Sequence, residues 1–171
     1  MKRNSDLVTF GGNPVTLMGR LVKPGQAAKN FFAVKENLQP FSLSEHNNKV
    51  RIISAVPSVD TDLCAQQTRR FNEEAASLKD IQVITISCDL PFALKRFCAA
   101  EGIDRIVTVS DHKDKDFGVK YGLLIEELGL LARAIVVIDK QDMVQYVEVV
   151  PEVGEHPDYD KAIKVAKTLT S

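Results

Sequence analysis

The run Val50-Arg51-Ile52-Ile53-Ser54-Ala55-Val56 constrains this chain more than any other feature. It is apolar enough for an interior strand, and Pro57, which cannot donate to a sheet ladder, stops it. A few residues later a different period takes over. Cys64, Thr68, Phe71, Ala75 and Leu78 recur at helical spacing with Gln66, Arg70, Asn72 and Glu73 between them, which predicts a helix over residues 62–79.

The alternation then repeats. Ile81–Ser87 reads as a second strand, and Pro91 is placed to start a helix that runs to Glu101 and ends at Gly102. Residues 106–109 supply a third strand, and Phe117 to Tyr121 a short helix. Strands joined by helices in this way lie parallel. Two later runs, at 134–138 and 143–150, flank Asp139-Lys140-Gln141-Asp142 and predict an antiparallel hairpin. Residues 123–131 read as a Gly-punctuated loop or hairpin, and Tyr159, Ala162, Ile163, Ala166 and Leu169 form one face of a last helix. Upstream, Gly11-Gly12-Asn13-Pro14 between two short β-formers predicts an N-terminal β-hairpin, and residues 21–49 look mostly irregular, with a strand candidate at 31–34. The expected architecture is α/β: one domain over residues 1–171, with a mixed central sheet flanked by helices on both faces.

Composition fits that picture. The chain is 44% hydrophobic and 26% charged, enough apolar material for a core without metal or disulfide staples. Its 22 basic and 23 acidic side chains give a formal charge of -1, which argues against nucleic-acid and membrane partners. Residues 1–6 are polar, no apolar secretion segment follows them, and no run approaches the roughly 18 apolar residues of a membrane span, so a cytoplasmic location is expected.

Three cysteines, Cys64, Cys88 and Cys98, are too few for a disulfide scaffold. Three buried thiols would be the plain reading. Cys64 departs from it by position. Asp60 or Thr61 can cap the predicted helix, which puts Cys64 in its first turn, where free backbone N–H groups and the helix dipole favour a thiolate, the reactive form. One helix end contributes only about 0.3–1 kcal/mol, so a nearby cation is expected as well. Thr61 can face the sulfur or serve only as the cap. Pro57 can shield the sulfur or merely end the strand, and Arg69 and Arg70 read first as surface ion-pairing residues.

The segment from Pro57 to Cys64, followed by Thr68-Arg69-Arg70-Phe71-Asn72, resembles the peroxidatic segment of the thiol peroxidase class of peroxiredoxins. The shared pattern Pro-x-x-x-Thr-x-x-Cys falls on Pro57, Thr61 and Cys64. Asp89-Leu90-Pro91-Phe92-Ala93, Arg96-Phe97-Cys98, Phe117-Gly118, Tyr121-Gly122 and Leu130-Leu131-Ala132-Arg133-Ala134 match the class in the same order, so the resemblance covers essentially the whole chain. It implies a thioredoxin-like fold and reduction of hydrogen peroxide and organic hydroperoxides. Cys64 would become a sulfenic acid and Cys98 the resolving cysteine of an intramolecular disulfide. Thioredoxin or a similar dithiol would be the reductant, no cofactor or metal would be needed, and a homodimer would be the common assembly. Arg133 would complete the active site. Without the resemblance a surface arginine would be the safer reading, just as Phe92, Leu130 and Leu131 could line a substrate approach or simply belong to a core.

Cys88 has no assigned role, and the sequence leaves a Cys64–Cys88 pairing open. Other chemistries fare worse. Ala65-Gln66-Gln67 follows Cys64, so the Cys-x-x-Cys of a dithiol oxidoreductase is absent. His46, His112 and His156 are scattered without metal-ligand spacing, and no Gly-x-Ser-x-Gly appears. A redox-regulated binding protein is the alternative of a different class.

Overall fold

Every residue from Val50 to Val56 is buried, Arg51 included. In a computed structural model, which describes residues 1–170, this run is the middle of a large sheet. In chain order the elements are β1 (Arg3–Phe10), β2 (Asn13–Met18), β3 (Phe32–Lys35), β4 (Pro40–Ser42), β5 (Val50–Ala55), α1 (Asp62–Ala75), β6 (Ile81–Ser87) and α2 (Pro91–Glu101). They continue with β7 (Val107–Ser110), α3 (Asp116–Tyr121), β8 (Leu124–Ile125), β9 (Leu130–Leu131), β10 (Ala134–Ile138), β11 (Val144–Val149) and α4 (Tyr159–Thr168).

The main sheet has seven strands in the order β11-β10-β5-β6-β7-β3-β4. Strands β5, β6 and β7 are parallel, as their helical crossovers require, and β10 and β11 join antiparallel. Alternation along β5 sorts the core. Val50 and Ile52 pack with Val83, with Phe71 of α1 and with Ala162, Ile163 and Ala166 of α4. Ile53 and Ala55 point the other way, toward Ile84, Ile86 and the α3 rings Phe117 and Tyr121. A third cluster lies beyond the carboxyl end of β5, where Val56, Val59 and Cys64 meet Leu94, Phe97, Cys98 and Ile103.

Three features differ from the sequence reading. Helix α1 stops at Ala75 rather than 79, because Ser77 turns its hydroxyl onto the Glu74 carbonyl and the chain must reverse into β6; Leu78 is still buried, held by a turn to Ala75. Residues 123–131 take the hairpin form that was one of their two expected readings, but this hairpin of two-residue strands pairs with the N-terminal one in a second sheet, β1-β2-β8-β9. A short strand, β4, lies in the stretch that looked irregular. Arg51 is the odd member of the apolar run. Its Nη2 donates to the Asp139 carbonyl and to Asp142, which lets a charge sit in a strand with no exposed surface.

Candidate active site

The loop between β5 and α1 is fastened at several points. Asp89, just past β6, accepts from Ser58 Oγ at 2.6 Å, Val59 N at 2.8 Å and Ser87 Oγ at 2.7 Å. Pro57 is buried at the start of this loop. Thr61 is the N-cap of α1: its Oγ1 accepts from Cys64 N at 3.3 Å and donates to the Ser58 carbonyl at 3.1 Å. Its hydroxyl is thus engaged by backbone groups rather than by the sulfur. Cys64 falls in the first turn of α1 and is fully buried.

The expected cation is present. Arg133, only 2% exposed, donates from Nη2 to Cys64 Sγ at 3.1 Å, from Nη1 to Gln67 Oε1 at 2.8 Å and from Nε to the Val153 carbonyl at 2.8 Å. Gln67 is fixed in turn by a 2.7 Å bond to Ser54 Oγ on β5. A guanidinium held on three sides has little freedom to miss its target, and a charge-assisted donor in a buried site acts strongly. Gln67 and Ser54 were not singled out from sequence. The signal was there: Gln67 is three residues after Cys64, so it is a polar side chain on the helix face that should be apolar. The Val153 carbonyl left no such trace.

Cys98 shares the apolar cluster of Cys64 and is a free thiol, as is Cys64. It sits in the last turn of α2, where both Gly102 N and Ile103 N donate to its carbonyl. Gly102 takes the left-handed conformation (φ 66°) that closes this helix end. The Cys98 thiol is pushed up to about 11, first by burial and further by Glu36; a Thr108 hydroxyl turned to donate to the sulfur acts the other way. Cys88 lies elsewhere. It is half-buried, packs against the α3-side core, and burial pushes it up to about 11 as well. Arg69 and Arg70 make surface ion pairs with Glu101, Glu74 and Asp160. Leu131 is fully buried in the α3-side core, whereas Phe92 is 67% exposed near the start of α2. Among the described residues, no three His, Cys, Asp or Glu side chains are grouped to hold a metal ion.

Comparison with known proteins decides the family. The Redoxin family model matches residues 23–163. The chain belongs to the Redoxin family. Within it, the thiol peroxidase of Halalkalibacterium halodurans is 54% identical over 160 residues, 94% of this chain and 96% of that protein. The thiol peroxidase of Bacillus subtilis is 51% identical, over 95% and 97% of the two chains. The crystal structure of a peroxiredoxin-like protein from Aquifex aeolicus superposes with a TM-score of 0.91 at 40% identity, covering 96% of this chain and 98% of that one. This Redoxin-family chain is therefore a peroxiredoxin-type peroxidase with the thioredoxin-like fold that its sequence led us to expect.

Proposed function

We propose that Cys64 carries the peroxidase chemistry and Cys98 completes it. The Cys64 thiolate attacks the O–O bond of hydrogen peroxide or an organic hydroperoxide, water or an alcohol leaves, and Cys64 becomes a sulfenic acid. Cys98 then condenses with it, giving an intramolecular disulfide and water. Thioredoxin or a similar dithiol reopens the disulfide by exchange. Arg133 offers counter-charge to the thiolate and to the developing negative charge on the leaving oxygen. Thr61 holds the first turn that presents the sulfur, and Pro57 walls the loop.

The observation that carries this reading is the 3.1 Å bond from Arg133 to the Cys64 sulfur at the start of α1. Cys98 is favoured over Cys88 as the partner because it shares an apolar cluster with Cys64, while Cys88 packs into a different one. A homodimer in the cytoplasm belongs to the same reading, and sedimentation of the untagged chain would check the assembly.

The test is disulfide mapping by intact mass and peptide analysis after one equivalent of peroxide. Cys64–Cys98 should form in the unmodified chain and in Cys88→Ser, and Cys98→Ser should stop at sulfenic acid or a higher oxide. Consumption of peroxide should vanish in Cys64→Ser; full turnover there would falsify the assignment. Turnover with thioredoxin, set against glutathione alone, identifies the reductant class.

A further inference from the structure

Behind Cys98 a single hydroxyl proton faces two neighbours, and either end of the Cys98–Thr108 contact can donate. Cys98 Sγ lies 3.4 Å from Thr108 Oγ1, and that oxygen lies 3.3 Å from Glu36 Oε2. An ionised carboxylate only accepts, and a threonine hydroxyl has a single proton. When the Thr108 proton goes to Glu36, the oxygen turns its lone pairs to the sulfur. Only a protonated Cys98 then completes the chain, as an S–H donor. A thiolate in the same place would meet lone pairs and, behind them, a second negative charge.

The surroundings do little to relieve this. Glu36, in the turn after β3, faces a cavity of about 260 Å³ that is also lined by Cys98, Thr108, Lys35 and Asp104. Lys35 is paired with Glu45 at 2.9 Å, and Asp104 adds acid rather than counter-charge. On α2 itself Lys95 and Arg96 are exposed, and Glu101 is paired with Arg69. Glu36 is only half-buried and has the cavity beside it, so it has room to withdraw. Once it does, the Thr108 hydroxyl can turn and donate to the sulfur.

We propose that Glu36 is a positioning residue for the second half of the cycle: it holds the Thr108 hydroxyl so that Cys98 stays a parked thiol, and its withdrawal turns that hydroxyl to favour the nucleophile. The proposal rests on the reading of Cys98 as the resolving cysteine. The step that it gates is balanced. The Cys98 thiol and the Cys64 sulfenic acid give a disulfide and water; an S–S bond forms, the S–O bond breaks, and the thiol proton leaves with the hydroxide. No outside oxidant or reductant takes part.

The experiment begins in Cys64→Ser with Cys88→Ser, where Cys98 is the only thiol, and follows alkylation by iodoacetamide against pH. Adding Glu36→Ala should speed alkylation about threefold near pH 8: a pKa lower by about one unit gives about tenfold more thiolate, offset by its weaker nucleophilicity. Thr108→Val on top of Glu36→Ala should cancel the gain, and Thr108→Ser should keep it. An unchanged rate in Glu36→Ala overturns the proposal. So does a gain that survives Thr108→Val, since that would be loosened packing and not a turned hydroxyl. In the chain with all three cysteines, one equivalent of peroxide should then yield Cys64–Cys98 disulfide sooner in Glu36→Ala. If the alkylation profile shifts as stated but no Cys64–Cys98 disulfide forms in any variant, the proposal falls through the role of Cys98, with the Glu36–Thr108 geometry intact.

Discussion

Cys64 and Cys98 sit in one apolar cluster, yet their sulfurs end opposite kinds of hydrogen-bond chain. Behind Cys64 stands a guanidinium locked by Gln67 and by the Val153 carbonyl, at the well-capped start of a helix. Behind Cys98 stands a hydroxyl that leads to a carboxylate, at a helix end closed by a glycine. The first arrangement is built to hold one geometry and to welcome negative charge. The second keeps a proton on sulfur and can come apart. On the proposed roles, a thiol that reacts first with peroxide gains from rigidity. On the same proposal, the thiol that resolves it gains from a fastening that opens.

The contrast breaks most severely at Arg133. Arg133→Met should lower kcat/KM for peroxide by about 10²–10³, the cost of losing one charge-stabilising donor in a closed site. Arg133→Lys should recover only part of it, because an ammonium cannot serve sulfur, amide and carbonyl in one plane. Steady-state kinetics with a coupled dithiol reductant would measure both. Gln67→Leu is milder: the arginine loses one of its two supports, and kcat/KM should fall about tenfold, equivalent to about 1.4 kcal/mol. A loss as large as that of Arg133→Met would mean that Gln67 does more than aim its neighbour.

At the other sulfur the expected effect has the opposite sign. Gly102→Ala places a Cβ in a left-handed residue and should destabilise the fold by about 1 kcal/mol. The strain falls on the turn that carries Cys98, so disulfide formation after a single peroxide pulse should speed up a few-fold while the first step, at Cys64, keeps its rate. Stopped-flow traces resolve the two phases. The smallest effect is on alkaline stability. Burial pushes the Cys98 thiol up from an ordinary 9.0 to about 11 in the folded chain, so its contribution to stability is complete below pH 9 and is lost as pH rises through 11. Cys98→Ser should flatten the fall of the urea midpoint across that window, and an unflattened curve would show that the thiol is not held as described.

The sequence made one of these two environments much easier to see than the other. The period change around Pro57, with Thr61 available as a cap, already placed Cys64 in the first turn of a helix. The parallel strands β5, β6 and β7 followed from the same alternation of periods. Strands β4, β8 and β9 span two or three residues each, too few to carry a period, and they form because neighbouring edges offer hydrogen bonds. Arg133 was assigned only through resemblance, since nothing local distinguishes a buried arginine before a strand from an exposed one. The Glu36–Thr108 contact joins side chains 72 residues apart and has no local signature at all. What packs locally was legible; what the fold brings together from afar was not.

The N-terminal hairpin has a mechanical consequence. Thr9 donates its N–H to the Pro151 carbonyl and accepts from Val153 N, and Gly12 N binds Glu152, so residues 151–153 lie as a thin layer between the hairpin and the arginine that Val153 holds. Strain applied at the amino terminus, by a fused domain or a gripping partner, has a short path of bonds to the guanidinium. The hairpin thus braces, through residues 151–153, the carbonyl that aims Arg133.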